Sequence, residues 1–239
     1  MIYTNGCSFT FGDELTDTTK AWPYILANKL ETKVVNDAVR GGTNYRTVYR
    51  ATKHIKDNFN LYIIAWTYTS RYTFYKSDNN FEINFNPQLK NALYADELFY
   101  TQWGKILYQY WHNELYSLKL WLQQIIHLQS TFEKYNKHYL MINTTSNNLN
   151  KWLAPKNQFI TSVKELINFD SMNDEQIFAE YQEIQYYLNC IDQEKFYKWN
   201  SFSITNLCLQ FPVGPGGHIL DAGHEHLSDL LYQHIQCLK

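Results

Sequence analysis

Three short segments rich in β-forming residues, separated by stretches with helical spacing, constrain the fold of this chain most strongly. The β-type segments are Ile2–Thr4, Thr32–Asn36 and Asn60–Trp66, and the helical stretches are Ala21–Leu30 and Tyr45–Asn58. A β-α-β-α-β order is typical of a parallel sheet with right-handed connections. We therefore predict a three-layer α/β/α sandwich with a mainly parallel sheet of about four or five strands.

The rest of the chain contains fewer clear elements. Tyr139–Asn143 predicts a fourth strand, and Ser203–Leu209 is a candidate for a fifth. Helical spacing runs from Lys105 to Tyr135 and over Asp174–Cys190, and an amphipathic helix closes the chain. An aromatic-rich segment, at about 67–104, is long for a plain loop, and we interpret it as an insertion over the C-terminal edge of the sheet.

The composition fits a single domain over residues 1–239 and excludes several classes of function. Hydrophobic residues make up 45% of the chain, which is enough for a sizeable core. The net charge is −2 and the basic residues are scattered, so we predict no nucleic-acid partner. The sequence has no long apolar run and no basic segment followed by an apolar one, so we predict no membrane span and a cytoplasmic location.

The spacing of the cysteine and histidine residues predicts no metal site. The four cysteines contain no C-x-x-C pair, which argues against structural zinc. His224, Glu225 and His226 are too close along the chain to surround one ion. We therefore predict neither a metal nor a cofactor.

The first eight residues have the pattern strand, tight turn, serine. The β-formers of Ile2–Thr4 stop at Asn5-Gly6, and Ser8 follows. This arrangement places a hydroxyl at the C-terminal edge of a sheet, where a base can reach it. Cys7 is adjacent, but neighbouring side chains point in different directions, and we prefer Ser8 as the nucleophile. A turn serine without function is the alternative.

Other turns add residues at the same predicted edge. Gly41-Gly42 follows the second strand and supplies flexible backbone with accessible N–H groups. Thr67 and Arg71 follow the third strand, and a histidine-rich turn precedes the last helix. The loop Gly12-Asp13-Glu14-Leu15 does not follow a strand and has no hydroxyl, so we assign it no role.

Together these turns resemble the sequence blocks of the SGNH (GDSL-type) hydrolases, in particular divergent phage-type members. The resemblance implies a flavodoxin-like sheet, and a phage-encoded chain is one origin consistent with it. It implies that Ser8, in G-C-S-F-T, is the nucleophile and that the N–H groups of Ser8 and Gly41 bind the oxyanion. Thr67 stands where the family has an asparagine donor, and we expect its hydroxyl to be a weaker third donor. Arg71 is a candidate for holding a negative group of the substrate, and a solvated surface arginine is the alternative.

The last block leaves its histidine open between two positions. Asp221-Ala222-Gly223-His224 has the family's D-x-x-H spacing, whereas the distance to the small residue Ser228 in the last helix favours His218. We prefer His218 as the general base, with His224 as the alternative. Pro215 then occupies the usual aspartate position, so the resemblance implies a Ser–His dyad or a carboxylate from elsewhere. Asp221 remains a candidate for that carboxylate.

The resemblance implies a serine esterase that acts on small acyl esters through an acyl-enzyme. The abundant aromatic residues suit a sugar face, which makes O-acetyl groups on carbohydrates one candidate substrate class. The alternative is a degenerate SGNH domain that binds a carbohydrate or a protein without turnover. Thr67 in place of asparagine and Pro215 in place of aspartate favour this alternative.

Overall fold

The computed structural model describes residues 1–76, 81–85, 97–147, 149–164 and 172–237. Its central sheet has the strand order β2-β1-β3-β6, and every neighbouring pair in it is parallel. The strands are β1 (Ile2–Asn5), β2 (Val34–Asn36), β3 (Leu61–Trp66), β4 (Tyr72–Lys76), β5 (Phe81–Phe85) and β6 (Tyr139–Asn143). The helices are α1 (Ser8–Phe11), α2 (Trp22–Lys29), α3 (Asn44–Lys53), α4 (Glu97–Ile106), α5 (Glu114–Lys134), α6 (Leu149–Trp152), α7 (Lys156–Lys164), α8 (Asp174–Cys190) and α9 (Asp221–Cys237).

Helices cover both faces of this sheet, which confirms the predicted α/β/α class. Alternate residues of β3 enter different cores, as the two-residue period of a strand requires. Tyr62 and Ile64 pack in the core that contains residues of α3, α5 and α8. Ile63 and Ala65 pack in the core that contains residues of α2 and α9. Burial on both faces explains why β3 is an uninterrupted apolar run.

Two of the predicted elements are wrong in detail. Ser203–Leu209 is not a fifth strand, because Ile204–Leu209 forms a 3₁₀ helix that a capping box between Ser203 and Asn206 initiates. The helical pattern over Lys105–Tyr135 is interrupted after α4 by a π-helical turn, Leu107–Trp111. The long helix α5 then starts afresh with Asn113 as its N-cap.

Part of the predicted insertion is an antiparallel hairpin. Strands β4 and β5 pair with each other and lie outside the central sheet. Residues 77–80 and 86–96 of the insertion lie outside the described residues. Within the described part of the chain, no helix is long and apolar enough to span a membrane.

Candidate active site

The turn after β1 presents Ser8 and buries Cys7. A methyl group on Gly6 would lie 2.7 Å from Thr10 Oγ1 and 2.9 Å from Ala65 Cβ, so a larger residue would displace the turn. Cys7 occupies the N-cap position of the short helix α1, and Ser8 is the first residue of that helix. Cys7 is fully buried, whereas Ser8 retains 6% of its surface exposed. The serine is therefore the accessible side chain of the pair.

The Ser8 hydroxyl is hydrogen bonded to His218. Ser8 Oγ lies 2.8 Å from His218 Nε2, within the reach of about 2.6–3.2 Å that proton transfer requires. The ring of Phe9 packs against the imidazole with a centroid separation of 4.7 Å. The predicted contact between Ser8 and a histidine of the last turn is thus present, and the histidine is His218.

A tight hairpin before α9 holds His218. The N–H of Gly214 donates to the His218 carbonyl at 2.9 Å, and the N–H of Gly217 donates to the Gly214 carbonyl at 2.9 Å. Val213 and Ile219 form an isolated antiparallel bridge across this hairpin. Gly217 has φ +82°, a left-handed conformation that favours glycine. The backbone around His218 is therefore fixed independently of its contact with Ser8.

A glutamate from the loop after α1 binds the other side of the imidazole. Glu14 Oε2 lies 2.9 Å from His218 Nδ1 and accepts a hydrogen bond of 3.0 Å from the His218 backbone N–H. Glu14 Oε1 accepts a hydrogen bond of 2.5 Å from the Gly216 N–H. Burial alone would raise the pKa of the Glu14 carboxyl, but these hydrogen bonds outweigh it and lower the pKa. Ser8, His218 and Glu14 form one continuous chain of hydrogen bonds.

The position of Glu14 corrects the sequence analysis, which gives its loop no role. Gly12 at φ +89° and Glu14 at φ +67° turn the chain back toward the hairpin that carries His218. A non-glycine residue in the left-handed region has no reliable sequence signal, and Glu14 and His218 are 204 positions apart. The available signal was the proline at position 215, which left a carboxylate from another part of the chain as one of two alternatives, the other being a Ser–His dyad.

Asp221 and His224, the other candidates of the last block, make different contacts. Asp221 begins α9 and pairs with Lys20 Nζ at 2.6 Å, with both side chains about half exposed. His224 is fully buried, and its Nδ1 accepts a hydrogen bond of 3.2 Å from the Trp22 N–H. Burial lowers the pKa of His224 to about 4. Neither candidate therefore contacts the Ser8–His218 pair: Glu14 is the carboxylate in contact with the imidazole, and His224 packs in the core.

The loop after β2 brings Gly41 and Gly42 against the serine turn. A methyl group on Gly42 would lie 2.5 Å from the Gly6 carbonyl oxygen and 3.3 Å from Cys7 Cα, so the two loops are in direct contact. The Gly42 N–H donates to the Val39 carbonyl at 3.1 Å. Gly41 has φ +67°, and within the described part of the chain neither its N–H nor that of Ser8 has an acceptor. These two donors are available to an incoming oxygen.

Thr67 is built into the end of β3. It is fully buried, and its backbone N–H donates to Asn44 Oδ1 at 2.8 Å while its carbonyl accepts from Asn44 Nδ2 at 3.0 Å. Its hydroxyl accepts a hydrogen bond of 3.1 Å from Arg71 Nη1. Arg71 also donates to the Gly42 carbonyl at 3.4 Å and lies 4.8 Å from the ring centroid of Tyr68. Both side chains thus hold neighbouring loops together, and their roles toward a substrate stay predictions.

A buried polar network connects the turn after β1 with the glycine loop after β2. Asp37 pairs with Arg50 Nε at 2.8 Å and accepts a hydrogen bond of 3.0 Å from the Tyr3 hydroxyl. Arg46 donates to the Asp37 carbonyl at 2.8 Å and to Asn5 Oδ1 at 3.5 Å. Burial alone would raise the pKa of Asp37, but its hydrogen bonds and charge interaction with Arg50 lower it overall. This network joins the C-terminal end of β1 to the start of the glycine loop.

No group of three or more potential metal ligands lies together among the residues that the structure describes. The described site contains instead a hydroxyl, an imidazole, a carboxylate and two backbone donors. This set contains the groups that acyl transfer with proton shuttling requires.

Comparison with protein-family models and with curated proteins finds no match. Among solved structures, the chain is similar to a protein assigned to the G-D-S-L lipolytic family from Desulfitobacterium hafniense DCB-2, at 11% identity and a TM-score of 0.44, covering 97% of each chain. It is also similar to the psychrotrophic esterase EstA from Pseudoalteromonas sp., at 9% identity and a TM-score of 0.48, covering 99% of this chain and 97% of that one.

A third similar structure is a carbohydrate esterase family 2 enzyme with a carbohydrate binding domain, from Corynascus thermopiles. Its identity is 12% and its TM-score 0.47, and the match covers 99% of this chain and 65% of the longer one. All three are described as lipolytic proteins or esterases, the class that the sequence motifs resemble. At these identities and TM-scores, the likeness carries neither activity nor substrate over to this chain.

Proposed function

We propose that this protein is a serine esterase of the SGNH class, in which Ser8 is the nucleophile and His218 the general base. The observation that carries the proposal is the hydrogen bond of 2.8 Å between Ser8 Oγ and His218 Nε2 at the C-terminal edge of a parallel sheet. A serine hydroxyl is a poor nucleophile on its own, and an adjacent base activates it. The two available backbone donors, Ser8 and Gly41, add the second requirement of acyl transfer.

The proposed reaction is a double displacement. As Ser8 Oγ attacks the ester carbonyl, its proton passes to His218 Nε2 and the carbonyl oxygen becomes an oxyanion facing the N–H groups of Ser8 and Gly41. The carbon–oxygen bond to the alcohol then breaks, and His218 delivers its proton to the leaving alkoxide. Water, deprotonated by His218, attacks the acyl-enzyme, and the proton returns to Ser8 as the acid leaves.

The substrates proposed are small acyl esters, with O-acetyl groups on carbohydrates as a specific class. The hairpin of β4 and β5 supports a restricted site, because it lies beside the oxyanion loop. Thr73 on β4 is hydrogen bonded to Thr43, and it also donates to Asn84 on β5 at 2.7 Å. A methyl group on Gly41 would lie 3.9 Å from Asn84 Cβ. The hairpin therefore borders the oxyanion loop, and we infer that it restricts the site to small acyl groups.

The test is the initial rate of hydrolysis of p-nitrophenyl esters from acetate to octanoate, and of acetylated sugars. We expect Ser8→Ala to remove nearly all activity, because no acyl-enzyme can form without the hydroxyl. His218→Ala should be nearly as severe, since the hydroxyl then has no base. Circular dichroism of each variant checks that the fold is kept. Wild-type activity in Ser8→Ala would show that the nucleophile is another group.

A binding module without turnover is the competing function. It is supported if wild type and Ser8→Ala are equally inactive on every ester tested. In that case a glycan array or pull-down experiment should find a ligand whose binding is unaffected by Ser8→Ala.

A further inference from the structure

We propose that Glu14 is the carboxylate partner of His218 and the positioning residue of the site, replacing the aspartate that usually lies three residues before the histidine. This inference rests on the proposed function for its catalytic meaning, but the pairing itself is a property of the free protein. The acidic residue of the site then lies in the loop after α1, and not in the last sequence block.

The contacts of Glu14 converge on the imidazole and its hairpin. One oxygen lies 2.9 Å from His218 Nδ1 and accepts from the His218 N–H at 3.0 Å, and the other accepts from the Gly216 N–H at 2.5 Å. A carboxylate at Nδ1 holds the proton on that nitrogen and leaves Nε2 free to accept the Ser8 proton. The carboxylate also favours the imidazolium that forms during acyl transfer, without itself taking the proton.

The hairpin is shaped around this carboxylate. A methyl group on Gly214 would lie 2.6 Å from Glu14 Cδ, and one on Gly216 would lie 3.2 Å from it. Any residue larger than glycine at position 214 would push the carboxylate away. Gly214 and Gly216 therefore form the walls of a carboxylate site, whereas Gly217 adopts the left-handed turn of the hairpin.

The other nearby carboxylates are engaged elsewhere. Asp221 pairs with Lys20 at 2.6 Å, and Asp13 pairs with Arg40 Nε at 2.7 Å. Within the described residues, Glu14 is the acidic side chain in hydrogen-bond contact with His218. Asp221 is therefore a suitable control, because it has the family's literal spacing from His224 and yet contacts a different side chain.

The first test compares Glu14→Gln with Asp221→Asn in steady-state hydrolysis. Gln keeps the shape of the side chain and one acceptor oxygen, but it removes the negative charge and replaces the second acceptor by a donor. We expect kcat to fall by roughly 10²–10³-fold in Glu14→Gln, with little change in KM, since the charge acts on the transition state. Asp221→Asn should stay within about threefold of wild type. A wild-type kcat in Glu14→Gln would overturn the proposal.

A second variant tests the same contact without changing the acid. Gly214→Ala should displace the Glu14 carboxylate and lower kcat in the same direction as Glu14→Gln. Gly104→Ala in α4 is the matched control, because among the described residues its added methyl would meet Phe85 at 3.5 Å, an ordinary contact distance. Unimpaired kcat in Gly214→Ala would contradict a hairpin built around the carboxylate.

Nuclear magnetic resonance separates this proposal from the proposed function. We expect the His218 Nδ1 proton to give a resonance far downfield in wild type and in Asp221→Asn, because a hydrogen bond to a carboxylate is strong. In Glu14→Gln the resonance should move upfield or disappear. This result supports the pairing even if wild type hydrolyses no ester, in which case only the proposed function fails. An identical resonance in wild type and Glu14→Gln would overturn the pairing.

Discussion

At the scale of single residues, Gly41 combines a left-handed backbone with an N–H that points at no acceptor in the described part of the chain. An alanine there keeps the N–H but must adopt φ near +67°, which costs about 1–2 kcal/mol for an L-residue. Its methyl would also enter the space between the oxyanion loop and Asn84. The site thus depends on the backbone of this residue and on the absence of its side chain.

We therefore predict that Gly41→Ala lowers kcat/KM of ester hydrolysis by about 10–100-fold, or roughly 1.4–2.7 kcal/mol of barrier. The expected loss in the free energy of unfolding is only about 1–2 kcal/mol, which should leave the protein folded at room temperature. Hydrolysis rates and urea unfolding of the same preparation separate the two effects. An unchanged kcat/KM would mean that neither the left-handed backbone nor the lack of a side chain at position 41 matters to the reaction.

At the scale of elements, the sequence predicts those strands and helices that are determined by residues close together in the chain. The four strands of the sheet could be identified because each is a short β-type run, and their parallel order followed from the helices between them. The end of α4 and the start of α5 could not be identified from the sequence, because the aromatic residues of Leu107–Trp111 keep a helical spacing through the π-helical turn. Ser203–Leu209 has apolar residues that suit a strand, but the hydrogen bond of 2.8 Å from the Ser203 N–H to Asn206 Oδ1 favours a 3₁₀ helix.

The candidate site also contains residues that the neighbouring sequence predicts and one residue that only the tertiary structure reveals. Ser8, Gly41 and His218 each follow or precede an element in a way that the sequence displays, and the spacing in the resembled family added the preference for His218 over His224. Glu14 could not be predicted from the sequence, because its role depends on a turn at two left-handed residues and on a hairpin more than 200 positions away. A buried His224 was an alternative in the sequence because its spacing is right, and its contact with Trp22 is a tertiary effect.

At the scale of the whole molecule, His224 joins α2 to α9 and links stability to pH. Its Nδ1 accepts a hydrogen bond from Trp22, the first residue of α2, whose N–H has no partner within the helix. Burial lowers its pKa from 6.5 to about 4 in the folded protein. Below pH 6.5 the unfolded chain binds a proton at this histidine that the folded protein does not bind, so acid favours unfolding until the folded protein titrates as well.

The sign and size of this effect can be measured. Between pH 7 and pH 5, His224 should reduce the free energy of unfolding by about 2 kcal/mol, a loss that His224→Asn should remove. Asparagine keeps an acceptor for the Trp22 N–H and does not titrate. Urea unfolding of both proteins at the two pH values gives the difference, which cancels the contributions of other histidines. Equal pH dependence in wild type and variant would contradict a neutral, buried His224.

The central claim is that Ser8 is a nucleophile activated by His218, and covalent labelling with a fluorophosphonate tests it most directly. Intact-protein mass spectrometry followed by peptide mapping should find one adduct per chain, on Ser8. The adduct should be absent from Ser8→Ala and should form far more slowly in His218→Ala. Failure of the wild-type protein to react, or an adduct on Cys7 in place of Ser8, would contradict the account.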